Sequence, residues 1–179
     1  MSSAYPKFVW PSASAQKSPR DWTSKEAYAY KQWLVASVPA RTSHLLWTLG
    51  IDQSLAEHEV VLREAGQGFL RLVQESEFSG GGRLTDAGYA LAADMGLLVT
   101  RLLFERHASG IRWEVLKRPR TDASFNLPII RGPGFNFDPV AAAIANGIAV
   151  LQNRRTPDVF GEMYRSTVED LKAHDSRSN

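Results

Sequence analysis

The residues of this chain best suited to molecular recognition lie close together: Arg112, Trp113, Lys117, Arg118, Arg120 and Arg131. An arginine fork grips carboxylates and phosphates through paired N–H donors and stacks on aromatic rings. Arginines with a tryptophan nearby therefore suit phosphates, stacked bases or the carboxylates of an acidic protein. The bland alternative is a solvated loop. A second candidate is Asp94 with Arg101, in an otherwise apolar stretch. Their spacing puts both on one helix face, roughly 10 Å apart along the axis. Buried, the two would need partners and would form a polar site; at the surface they would be the solvated edge of a helix, the reading favoured at this level. Arg101 has a nearer ion-pair partner in Glu105, one helical turn on.

Signals for catalysis are weak by comparison. The chain has no cysteine, which removes disulfides, thiolate zinc sites, iron–sulfur clusters and thiol nucleophiles together. His44, His58, His107 and His174 are scattered, with no pair at ligand spacing, so no metal is expected. Ser14-Ala-Gln-Lys17 matches S-x-x-K but lacks the companion motifs of enzymes that use it. Gly66-Gln-Gly68 sits inside a helical pattern, where it cannot present backbone amides to a pyrophosphate as a dinucleotide loop does. No P-loop is present. The sequence thus assigns no catalytic residue and no cofactor. An acid–base enzyme would need scattered groups such as Asp94, Glu114 and Asp122 to converge on one pocket.

The elements that must position these groups are organised around residues 84–106. Thr85 can cap the orphan amides, Asp86 suits the positive end of the helix dipole, and Gly110 lies just past the end. The stretch is apolar on nearly every side, leaving only the line of Asp94, Arg101 and Glu105 charged, so it should be a buried hub. A membrane span is disfavoured because Asp94 and Arg101 fall near its middle. Gly88, Ala92 and Gly96 form a strip of small residues that predicts close approach of the alanine-rich helix after Asp138-Pro139.

Upstream, the capping box Thr23-Ser-Lys-Glu26 predicts a helix to about Val38, stopped by Pro39 before a short helix to Gly50. Trp33 and Trp47 are read as core. A third helix spans about 55–74 with an acidic outer face, and residues 79–82 read as a flexible joint. Downstream, 111–115 alternates like a half-buried strand and 127–131 is its antiparallel partner, with Pro128 confined to an edge or a first position. The polar loop 116–126 joins them, and Gly132-Pro-Gly134 turns the chain. Helices from 140 to about 152 and from Thr156-Pro157-Asp158 to about Ala173 follow. The expected fold is α+β, mainly helical, with a small two-stranded antiparallel unit.

With 179 residues the chain fits a single domain. Proline and serine over 1–20 argue for an unfolded tail, with Phe8, Val9 and Trp10 as an apolar exception; the domain would span 21–173, and 174–179 would fray. The net charge of +2 does not imply a general attraction to nucleic acid. The charge is uneven, however. Residues 1–41 hold six basic and two acidic groups, residues 52–77 two and six, and residues 101–131 seven and three. Lacking a secretory signal or a long uncharged apolar run, the chain is expected in the cytoplasm without a membrane partner.

The succession from the buried helix through the tryptophan strand to PRTDASFNLPIIRGPG and FDPVAAAIANGI resembles small uncharacterised bacterial α+β proteins of actinobacterial type, over residues 84–170. The resemblance implies the helix–hairpin–helix order and carries no motif of known chemistry. Some such domains are immunity or partner-binding proteins. The expected function is a non-catalytic cytoplasmic interaction protein that binds a protein partner through the basic hairpin or the acidic helix at 55–77. Nucleic-acid binding through the arginine loop is the first alternative, and an unrecognised acid–base enzyme the second.

Overall fold

A capping box starts the first helix. In the computed structural model, which describes residues 5–10, 12–52 and 57–178 with side chains as far as His174, Thr23 Oγ1 accepts from the Glu26 amide at 3.2 Å. Glu26 Oε2 accepts from the Thr23 amide at 2.7 Å. Helix α1 runs Ser24–Leu49 and ends at Gly50, whose φ of 70° is the left-handed cap that glycine adopts without strain. Pro39 does not divide it, contrary to the sequence expectation. The proline lies on the exposed side, where water can serve the carbonyl left without its amide donor.

Helix α2 (His58–Leu72) follows; the expected start near Leu55 falls outside the described residues. Its Gly66 lies against the carbonyl of Pro157, which explains the Gly-Gln-Gly run as close packing. Strands β1 (Ser79–Gly80) and β2 (Arg83–Leu84) pair where a flexible joint was expected. Gly81 and Gly82, at φ 59° and 75°, form the two-residue loop with positive φ at both positions that matches the twist of a hairpin.

Helix α3 (Asp86–His107) is the hub, and every residue from Ala90 to Thr100 is buried. It is long and apolar enough to cross a membrane by length and composition, yet 78% of its most apolar window is buried within the protein. Beyond it come β3 (Arg112–Val115), β4 (Pro128–Gly132), β5 (Phe135–Phe137), α4 (Pro139–Leu151) and α5 (Val159–Ser178). The predicted strand pair is present, with Arg112 opposite Arg131 and Val115 opposite Pro128, so the proline does occupy the first position of its strand. The unit is three-stranded rather than two-stranded, in the order β3-β4-β5, because the Pro133-Gly134 turn folds β5 back on β4. Gly134 has φ 77° and a proline precedes it, the signature of a type II turn. The fold is α+β and mainly helical. The last helix continues to Ser178, past the expected end near Ala173.

Helix α4 packs on α3 as the small-residue strip predicts. A Cβ on Gly96 would lie 2.2 Å from the Pro139 carbonyl oxygen, and one on Gly147 would lie 3.0 Å from Ala92 Cβ. Gly88 belongs elsewhere, against the Phe78 carbonyl beside the β1–β2 hairpin.

Residues 5–10 and 12–22 lie on the domain, the second by way of two 3₁₀ turns, Ala13–Gln16 and Pro19–Asp21. Tyr5 is 5% exposed and meets His44 and Phe78. Phe8 contacts Trp33, Trp10 contacts Trp22 and Tyr30, and Tyr30 stacks on Trp33 at 5.5 Å. Average composition argued for a tail over this stretch; a few aromatic anchors set its placement. Trp33 is half-buried in that row, whereas Trp47, expected in the core, is 75% exposed.

Candidate binding cleft

The six residues singled out as a basic site divide between two places. On the sheet, Arg112 and Arg131 oppose each other across β3 and β4, and Glu114 lies between them. Arg112 Nη2 is 3.2 Å from Glu114 Oε2, and Arg131 Nε is 2.9 Å from Oε1. One carboxylate therefore bridges both guanidinium groups. Trp113 points the other way, into the body, where its ring is parallel to that of Phe104 at 6.3 Å. It is a packing residue, not a platform beside the arginines.

Lys117, Arg118 and Arg120 lie in the loop between β3 and β4, which closes on itself. The Leu116 amide donates to Leu127 O at 3.0 Å, and the Asn126 amide to Leu116 O at 2.7 Å. Asn126 adopts φ 66° and is buried. Its Nδ2 donates to Pro19 O at 2.9 Å and to Trp22 O at 3.0 Å, and its Oδ1 accepts from Lys117 Nζ at 2.8 Å. Arg20 Nη2 donates to Thr121 O at 3.4 Å from across the gap. These bonds tie the loop to the segment that leads into α1. Between them lies a cleft of about 710 Å³, lined by Arg20, Lys117, Arg118 and Arg120 with Trp22, Thr23, Phe125 and Asn126.

No carboxylate lines that cleft, and among the described residues none lies within ion-pair distance of Arg118 or Arg120. Desolvation lowers the Lys117 pKa below its usual value. Just outside, Tyr28 is 46% exposed, with Lys31 Nζ 5.4 Å and Lys117 Nζ 5.5 Å from its ring centroid. Arg20, Tyr28 and Lys31 were not singled out in the sequence. The signal there was the positive balance of residues 1–41, but nothing in the sequence placed that segment beside 101–131.

The second candidate, Asp94 with Arg101, is also rearranged. Asp94 is fully buried, not a solvated edge, and its partner is Arg41 of α1. Arg41 Nε is 2.5 Å from Oδ1 and Nη2 is 2.9 Å from Oδ2, while Tyr5 Oη donates to Oδ2 at 2.7 Å. Burial pushes the Asp94 carboxyl above the ordinary carboxylate range, with Arg41 and Tyr5 pulling it back. Arg101 is partly exposed, pairs with Glu105 at 2.8 Å and donates to Thr42 Oγ1 at 3.2 Å.

Groups suited to acid–base work do meet at one other place. His58 Nδ1 is 3.2 Å from Tyr164 Oη, and its Nε2 is 3.4 Å from Glu105 Oε2. His58 and Glu105 border an open cleft of about 730 Å³ with Glu57, Glu59 and Arg106, and no serine or threonine lines it. Asp94, Glu114 and Asp122 do not converge: the first is sealed in the core, the second bridges arginines on the sheet, and the third accepts the Ser124 amide at 2.8 Å. No group of three metal-ligating side chains occurs among the described residues. No family model, no curated protein and no solved structure matches the chain.

Proposed function

We propose that this chain is a non-catalytic interaction protein, an immunity-like or adaptor module, whose basic cleft docks an acidic protein partner. The observation that carries the reading is the meeting of Arg20, from the segment that leads into α1, with Lys117, Arg118 and Arg120 around one cleft that no carboxylate lines. On the sheet, by contrast, Glu114 answers both Arg112 and Arg131. Unanswered arginines held on a braced loop favour a partner that supplies the missing anions, and such pairs govern association rate and specificity. Arginine also offers the planar two-donor geometry that carboxylates accept.

The test is capture from a nuclease-treated extract of the native cells, on the intact chain and on Arg118→Glu/Arg120→Glu. The reading expects a protein retained by the first and lost by the second. Retention that survives the double reversal would move the docking surface elsewhere, with the acidic face of α2 next in line. Retention that vanishes on nuclease treatment would assign the cleft to nucleic acid.

A further inference from the structure

The cleft discriminates among anions by more than net charge. Its α1 wall begins at the capping box, where Thr23 Oγ1 already engages the Glu26 amide and Glu26 Oε2 the Thr23 amide. Ser14, first, and then Thr23 and Lys17 hold the Glu26 carboxyl down at about 2, so it stays ionised at any ordinary pH. Asp21 is exposed one residue before Trp22 of the lining. Two carboxylates thus adjoin the lining: Glu26 through its bonds to Thr23, and Asp21 as the neighbour of Trp22 in the chain. A phosphodiester chain, with a charge on every unit, would run its phosphates past them. A polypeptide can place carboxylates on the cations and neutral or basic side chains opposite Asp21 and Glu26.

Tyr28 points the same way. Its ring already lies within cation–π distance of the ammonium groups of Lys31 and Lys117, which compete with a base for it. Left in place, the ring and the two lysines make one more cationic surface for carboxylates.

Asn126 makes the cleft rigid before any ligand arrives. Left-handed backbone at a residue other than glycine persists where the surroundings demand it, and such strain gathers at binding sites. Here the demand comes from three side-chain bonds at once: two to the opposite wall and one to the Lys117 ammonium. A preorganised site loses less freedom on binding. The volume, about 710 Å³, suits a short segment rather than a single ion.

We propose that this cleft is a preformed receptor for an acidic peptide segment of the partner, its carboxylates taken by Arg20, Lys117, Arg118 and Arg120 while Asn126 holds the two walls in register. The inference rests on the proposed function and names the chemistry that its docking site selects.

The test uses the full chain and three labelled probes read by fluorescence anisotropy: a glutamate-rich decapeptide, its glutamine counterpart and a deoxythymidine decamer. The glutamate peptide is expected to bind, more weakly as salt rises, and the glutamine peptide not to bind. Asn126→Gly, which accepts the positive φ but frees both walls and Lys117, is expected to weaken binding about tenfold, the scale of a hydrogen bond to a charged group. Tyr28→Ala should weaken it about 2- to 5-fold, the scale of an exposed cation–π contact. Lys117→Met keeps the stem without the charge and serves if Asn126→Gly fails to fold, with the same loss expected. If the peptide is lost by Arg118→Glu/Arg120→Glu but indifferent to Asn126→Gly and Lys117→Met, the preformed receptor is overturned and the basic docking face stands. Tighter binding of the decamer overturns the peptide assignment. No binding of either anionic probe overturns the inference and the proposed function together.

Discussion

The Arg41 guanidinium grips the Asp94 carboxylate from two sides, at 2.5 and 2.9 Å, in the middle of the helical layer. The pair joins α1 to α3, and it also holds the chain that leads into α1. Arg41 Nη1 and Nη2 donate to the Lys7 and Pro6 carbonyls at 3.2 Å, its guanidinium faces the Phe8 ring at 4.7 Å, and Tyr5 Oη completes the carboxylate. A buried ion pair is no guarantee of net stability, since desolvating both charges offsets their attraction. What it does confer is a position: residues 5–8 satisfy this pair only in the register observed.

Removing one partner should therefore cost far more than removing both. Asp94→Ala leaves a guanidinium only 12% exposed without its anion, and a loss of about 3–5 kcal/mol is expected in urea denaturation. Arg41→Met combined with Asp94→Leu should recover most of that loss while freeing residues 5–8, seen as faster amide exchange there. Additive losses in the double variant would mean that the pair itself, rather than the stranded charge, holds the helices together.

Trp47 provides a second contrast. Replacing it with alanine should change stability by no more than about 0.5 kcal/mol, because the side chain is 75% exposed. Phe69→Ala, at a fully buried ring packed on Phe160, should cost about 3–5 kcal/mol. Thermal midpoints of the two variants decide the matter, and a large drop for Trp47→Ala would place that ring in an interface.

These cases mark how far the sequence could be read. Local signals were reliable where one residue type has one use: Thr23 with Glu26 started a helix, Pro128 opened a strand, and Gly96 marked a close approach to α4. They failed where the outcome depended on distant chain. Spacing put Trp47 on an apolar helix but could not say which side of α1 faces α3. Asp94 had two charged neighbours on its own helix, yet its partner came from another helix 53 residues away. The basic loop was legible from composition; its joining with residues 17–31 was not, because Asn126 makes that junction through side-chain bonds that leave no periodic trace. Pro39 misled for a related reason: it falls on the exposed side of α1, where water can serve the carbonyl it leaves without a donor, and spacing along the chain did not reveal that side.

Acid should reveal the capping box. The hydroxyl of Ser14, the Thr23 amide and Lys17 lower the Glu26 carboxyl from its usual 4.5 to about 2. Because the folded value is the depressed one, the stability it brings is complete above the unfolded value and disappears as pH falls from there through about 2. Stability of the intact chain and of Glu26→Gln should thus differ by a constant amount near neutrality. The gap should close only across the acid window from 4.5 down to about 2. A gap that closes above pH 5 would mean that Glu26 is not held by these bonds.

Two opposing effects meet at Gly96, and their sizes predict the sign. Alanine is the better helix former by about 1 kcal/mol, so on an exposed turn Gly96→Ala would stabilise. Here the new Cβ would sit 2.2 Å from the Pro139 carbonyl oxygen and 2.9 Å from Ala143 Cβ. Neither can swing aside, since one is backbone at the first turn of α4 and the other the only side-chain carbon of a buried alanine. Relief requires the whole helix to move off α3, and overpacking of this kind costs about 1–3 kcal/mol and occasionally more. The clash is expected to win, giving a net loss in the urea midpoint. Gly80→Ala, with nothing within 4 Å of its added carbon and no positive φ, should be close to neutral. An unchanged or raised midpoint for Gly96→Ala would show that α4 can shift on α3 at little cost, and the tight seam inferred between the hub and its alanine-rich neighbour would have to be abandoned.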